Sequence, residues 1–211
     1  MRREMESPVR DVLRELCNVG IGSSMTALSR IAGREICYTS PGISSLRDYR
    51  NMEKWYPSAD DHMVGVSLPF GGEILGMMLL LCDPEVVEVV LEPVFGRAPD
   101  FKDMENPMMD MVLETANIMA SSCLMAMSAY TSWSMSAGRA AVSTDMAGAM
   151  LGETAGVASS ISGRVFCIGS RFGLSKGREK SCMLIMVDED SVPGSLELLE
   201  GKNVSDCGKA K

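Results

Sequence analysis

The sequence predicts an α+β fold in which two copies of a helix-strand-strand-strand-helix unit, related by a pseudo-two-fold axis, share one six-stranded, mainly antiparallel sheet with helices packed on it. The first observation behind this is an internal repeat. "DVLRELCNVGIGSSMTALS" from Asp11 aligns without gaps on "DMVLETANIMASSCLMAMS" from Asp110, an offset of 99 residues that places Asp11 on Asp110, Glu15 on Glu114 and Asn18 on Asn117. The second is that the elements after each helical stretch follow in the same order. The third is that each half carries two apolar runs joined by a glycine-containing turn, the pattern of an antiparallel hairpin.

In the first half the helix is followed by a strand in "REICYTS" and then by an irregular connection with Pro41, Gly42 and Pro57. The hairpin "MVGVSLPF" and "EILGMMLLL" flanks Gly71-Gly72, and a helix follows in "DPEVVEVVLEPVFG". In the second half a strand in "SWSMS" precedes a connection, the hairpin "RVFCIGS" and "SCMLIMV", and a helix in "VPGSLELLEG". Pro84 and Pro193 stand where a helix N-terminus tolerates proline. Three strands per half cannot cover both faces of a sheet alone, so the halves, 1–104 and 105–201, join into one domain. The tail 202–211 lacks apolar periodicity and is expected to fray.

Composition narrows the function. A chain of 211 residues, 46% hydrophobic, can bury a core without staples. Its 19 Met and 5% aromatic content predict a core filled with flexible side chains. A net charge of -8 disfavours nucleic acid and anionic membrane as main partners, which leaves proteins and small molecules. The seven cysteines are scattered singly without a CxxC pair, which predicts buried, reduced thiols and neither a zinc site nor a disulfide framework. "MRREMESP" has no apolar signal core, so a cytoplasmic location is expected. Residues 118–138 form a long uncharged window, but its seven Ser or Thr suit a buried helix running into a strand better than a membrane span.

The Gly20-Ile21-Gly22 stretch suggests a phosphate-cradling loop. A dinucleotide fingerprint, however, needs a preceding strand and a third glycine where Met25 stands, and no Gly-Lys-Ser/Thr is present. The second copy has Met119 and Ser121 in place of the two glycines, so the halves share the polar set instead. Asp11, Glu15 and Asn18 fall at i, i+4 and i+7, one face of a helix, and Asp110, Glu114 and Asn117 repeat that geometry. Such a face is ordinarily solvated surface. Asparagine is nonetheless a poor helix-interior residue, and its recurrence mid-helix points to work for an amide. An amide can donate and accept at once, which suits it to hold a water in line with an electrophile, as phosphoryl transfer requires. His62, the sole histidine, lies in a charged linker, which leaves no histidine-based triad, and no metal cluster is visible.

These residues resemble the CheC, CheX and FliY family of chemotaxis phosphatases. The family pattern of Asp or Ser, Glu and Asn followed by Pro is matched by Asp11, Glu15, Asn18 and Pro41. "NVGIGSSMTALS" is similar to the family's Asn-Ile-Gly-Ala-Gly-Asn run, and "FGRAPD" at 95–100 looks like the connector between CheC halves. The resemblance extends to about Gly201, and two motif copies point to CheC over single-site CheX. It implies that Asn18 and Asn117 orient a hydrolytic water at the aspartyl phosphate of CheY while Glu15 and Glu114 pair with a CheY lysine, with Asp11, Asp110 and Pro41 in support. It implies that Mg²⁺ comes with CheY, so the chain needs no metal or cofactor of its own. It also implies the deamidase CheD as a second partner, met by Asp145 at a helix start in "VSTDMAGAM". The rival expectation is a non-catalytic module that binds CheY or CheD. Ala140 stands where the second copy should have proline, which leaves the backbone beside that site open and predicts that the first site is the stronger.

Overall fold

The computed structural model describes residues 7–45, 58–97, 99–100, 104, 106–161 and 164–192. Two 26-residue helices, α1 (Ser7–Ala32) and α3 (Asn106–Thr131), carry the repeat, and their bounds differ by the same offset as their sequences. They also stop alike. Gly33 and Ser132, equivalent under the repeat, hold the left-handed conformation at φ 65 and 64, and each helix is closed by a backbone bond, Arg34 N to Ser29 O at 3.2 Å and Ser132 N to Ser128 O at 2.7 Å. Glycine takes that conformation freely and serine does not. Ser132→Gly should therefore raise stability by about 0.5–1 kcal/mol, read as a higher melting temperature; an unchanged or lower one would mean that the serine is not strained.

The strands are β1 (Cys37–Tyr38), β2 (Gly42–Ser45), β3 (His62–Gly72), β4 (Gly76–Cys82), β5 (Met135–Ala137), β6 (Ala141–Met146), β7 (Val165–Gly173) and β8 (Ser181–Asp188). All pairings are antiparallel. The eight strands occupy six positions, because β1 and β2 share the place beside β7 while β5 and β6 share the place beside β3. At the centre β4 pairs with β8, Leu79 opposite Leu184. The outer strands are exchanged: β1 and β2 of the first half pair with the second half's β7, and β5 and β6 of the second pair with the first half's β3. Neither half completes its share of the sheet alone.

Helix α2 (Pro84–Phe95) begins with Asp83 as N-cap and ends at Gly96 in the left-handed region, as its proline and glycine foretell. With α1 and α3 it covers one sheet face, over a core that includes Val66, Leu80, Phe166 and Ile185. Helix α4 (Ala147–Ile161) covers the other, packing Met150, Leu151 and Ala155 with Leu79, Leu81 and Leu184. This double cover explains why "MMLLL" and "CMLIMV" read as continuous apolar runs: alternate residues enter opposite cores. Helix α3 is long and apolar enough to cross a membrane by length and composition, but its apolar residues Met108, Val112, Met119, Cys123 and Met127 are spent on the core.

Several expectations need correction. The strand read in "REICYTS" is only Cys37–Tyr38, and Gly42–Ser45, assigned to the irregular connection, is strand. "SWSMS" contributes only its last two residues to β5. The segment taken as a helix start at 142–150 is strand to Met146, held there by pairing with β3 from His62 to Ser67. Helix α4 follows it and is absent from the expected unit. His62 is the exposed first residue of β3, not part of a linker. The helix expected in "VPGSLELLEG" and the tail 202–211 lie outside the described residues, apart from Val192.

Cys17, Cys37, Cys82, Cys123, Cys167 and Cys182 are free thiols. Burial pushes Cys123 and Cys182, neither accessible to solvent, from 9.0 up to about 12. In the unfolded chain they would ionise near 9.0, so the folded state keeps their contribution below that pH and loses it as pH climbs toward about 12. A native protein at pH 8 should leave both thiols unlabelled by an aromatic disulfide reagent, and unfolding should be progressively easier above pH 9. Rapid native labelling of Cys123 would contradict this.

Candidate functional site

The opening Gly20-Ile21-Gly22 lies inside α1, not in a loop. A Cβ at Gly20 would stand 2.6 Å from Cys123 Sγ and 2.9 Å from Met127 Cγ, so the glycine exists to let α3 approach. One turn on, buried Ser24 donates its hydroxyl to Met119 O at 2.7 Å. Gly20 and Ser24 correspond to Met119 and Cys123 under the repeat, so these two contacts are each other's image across the pseudo-two-fold axis. The helices thus cross antiparallel at their small residues, and the crossing fixes how both polar sets are presented.

Those sets are presented alike. Asp11 and Glu15 on α1 are exposed and Asn18 is half-buried; Asp110 and Glu114 on α3 are exposed and Asn117 is half-buried. Neighbouring Leu13, Leu16 and Cys17 in one copy, and Val112, Ala116 and Met119 in the other, are buried. The apolar face anchors each helix while Glu and Asn, about one turn apart, stay on the solvent side. Among the described residues neither asparagine side chain has a hydrogen-bond partner, so both amides are available to a water or a partner. Glu15, Asp110 and Glu114 have no ion-pair partner among the described residues, whereas Asp11 pairs with Arg14 at 3.2 Å.

Pro41 is buried at the break between β1 and β2. Ala140 occupies the equivalent break between β5 and β6, so the strand divides at the same point with and without proline. Arg10 donates to Ile43 O at 3.2 Å, tying α1 to β2 beside the first set. That tie was not anticipated, because nothing in the sequence links residues 33 apart. The Asp11–Arg14 pair was legible as an i, i+3 spacing. Asp145 is exposed on edge strand β6, outside any helix, and its carboxylate accepts from Met146 N at 2.7 Å.

Two cavities among the described residues have neither polar set in their lining. An apolar void of about 20 Å³ lies among Val66, Leu80, Val86 and Met119 in the core, and an open depression of about 410 Å³ lies beside Asp61, His62, Glu85 and Lys180. Neither is lined by Glu15, Asn18, Glu114 or Asn117, although the void also touches Thr115 and Ala116, the chain neighbours of Glu114 and Asn117. Among the described residues no group of three or more His, Cys, Asp or Glu could hold a metal. What the chain offers is two carboxylate-amide pairs on an exposed helical surface, a geometry for a partner that brings its own reacting centre.

No protein-family profile matches the chain. It is 29% identical over 147 residues to the CheY-P phosphatase CheC of Bacillus subtilis (strain 168), a match covering 68% of this chain and 69% of that protein. The structure superposes on Thermotoga maritima FliY with TM-score 0.64 at 17% identity, covering 94% of this chain and 99% of that one. It superposes on the CheX–CheY–BeF3–Mg²⁺ complex from Borrelia burgdorferi with TM-score 0.52 at 16% identity, over 81% of this chain and 96% of that one. The duplicated helix on a shared antiparallel sheet is thus the fold of those FliY and CheX structures. Sequence and fold together make the chain similar to CheC, CheX and FliY proteins, with the sequence match to CheC.

Proposed function

We propose that the protein hydrolyses the aspartyl phosphate of phosphorylated CheY, with Asn18 and Asn117 each holding the attacking water and Glu15 and Glu114 each pairing with a CheY lysine. The observation that carries this reading is the pair of carboxylate-amide faces on the solvent side of α1 and α3, with Glu15 and Glu114 exposed and Asn18 and Asn117 half-buried. A small-molecule enzyme buries its substrate in a pocket; a surface amide can act only on an electrophile that a partner carries to it. Mg²⁺ then belongs to CheY, and the chain supplies geometry alone. Phosphoryl transfer suits such a division, because positioning and charge stabilisation do most of the work. The test is phosphate release from phosphorylated CheY with and without catalytic amounts of the protein. Release at CheY's own rate, with CheY still bound, would replace this reading with that of a binding module.

CheD is proposed as a second partner, met at Asp145. Its local bond to Met146 N is exposed, so Asp145→Lys should change stability by less than about 0.5 kcal/mol, while calorimetry should show weakened CheD binding. Undiminished affinity would remove Asp145 from that interface.

A further inference from the structure

The two faces share Asp, Glu and Asn but not their charge. Residue 14 is Arg in the first copy and its equivalent, residue 113, is Leu. Arg14 Nη2 lies 3.2 Å from Asp11 Oδ1, with both side chains about half exposed. Arg10, the other arginine of that turn, donates to Ile43 O, a neutral acceptor that leaves its charge in place, and its equivalent is Met109. On the described surface the first face therefore carries Arg10 and Arg14 beside Asp11 and Glu15, with Arg14 paired to Asp11, and Glu15 in no ion pair. The second presents Asp110 and Glu114 together, with no cation paired to either among the described residues.

We propose that Arg14 is a specificity-determining residue: it makes the first face less attractive to partners with a basic rim around the docking lysine, which the second face draws in. This rests on the CheY reading above and adds that the two sites sort response regulators by the charge of their docking surface. One unit charge about 10 Å from a partner's charge in water changes encounter by roughly twofold, and the effect vanishes when salt shortens the screening length to about 3 Å near 1 M. Charge at an interface rim acts mainly on association rate and its salt dependence.

The experiment isolates each face. Glu114→Lys blocks the second and leaves the first; Glu15→Lys does the reverse. Association of CheY held active by beryllofluoride and Mg²⁺ is followed by stopped flow at about 10 mM and about 1 M salt. The protein with only the second face should bind roughly two- to threefold faster at low salt and equally fast at high salt. Adding Arg14→Leu to the first-face protein should raise its low-salt rate toward that of the second-face protein, Leu113→Arg should slow the second-face protein, and Arg14→Lys should behave as wild type. A purely structural Arg14 would move none of these salt slopes. Equal low-salt rates for the two faces, or an Arg14→Leu rate unchanged from wild type, would overturn the proposal while leaving the phosphatase reading intact. Absence of CheY binding at both faces would overturn the two together.

Discussion

Replacing both Asn18 and Asn117 by alanine should cut turnover of phosphorylated CheY by roughly 100-fold or more, the scale expected when a positioning group is lost, while CheY still binds. The amides are half-buried and without hydrogen-bond partners among the described residues, so removing them breaks no hydrogen bond among those residues. Alanine is the better helix former, so neither helix should weaken. Lost activity could not then be blamed on unfolding, and a thermal melt serves as the control. Each single variant should remove one site, and the two rates measure how the activity divides between them. The equal division of the strands at Pro41 and Ala140 removes one structural ground for ranking the first site higher, so the single-variant rates decide that ranking. Wild-type turnover in the double variant would end the water-positioning mechanism, whatever binding remained.

How much of this was legible depended on where the information lay. The α1 and α3 repeat could be read because each helix carries its own apolar face and polar set within 26 residues. The central strands could be read because burial on both faces leaves long apolar runs. The short outer strands could not. Gly42–Ser45 has little strand propensity of its own and is held by pairing with Phe166 to Gly169 in the other half of the chain. Helix α4 was hidden by its glycines at 148, 152 and 156, poor helix residues that Met150, Leu151, Ala155 and Ala158 outweigh by packing on the sheet. For the site, spacing alone disclosed which residues share a face, while the crossing that holds both faces was invisible because its two contacts join α1 to α3.

That crossing gives the second large effect. Gly20→Leu should destabilise the protein by about 3 kcal/mol, the upper end of overpacking in a close-packed core, lowering the melting temperature by roughly 6–12 °C in a chain of this size. Even a Cβ at Gly20 would come within 2.6 Å of Cys123 Sγ and 2.9 Å of Met127 Cγ, and Cys123 is fully buried with no room to withdraw. A leucine adds three further carbons to that gap and must force α1 from α3, straining the Ser24 bond to Met119 O as well. Gly22 supplies the contrast. A Cβ there would meet only Tyr38 Oη, at 3.2 Å, and Tyr38 is 44% exposed and can yield. Gly22→Ala should therefore be neutral or gain up to about 1 kcal/mol of helix propensity. The same helix, two residues apart, thus predicts opposite signs. If a melt showed Gly20→Leu as stable as wild type, close approach would not be the reason for the glycine. If the helices do part, both carboxylate-amide faces shift together, so the variant should lose turnover at both sites at once, unlike either single asparagine variant.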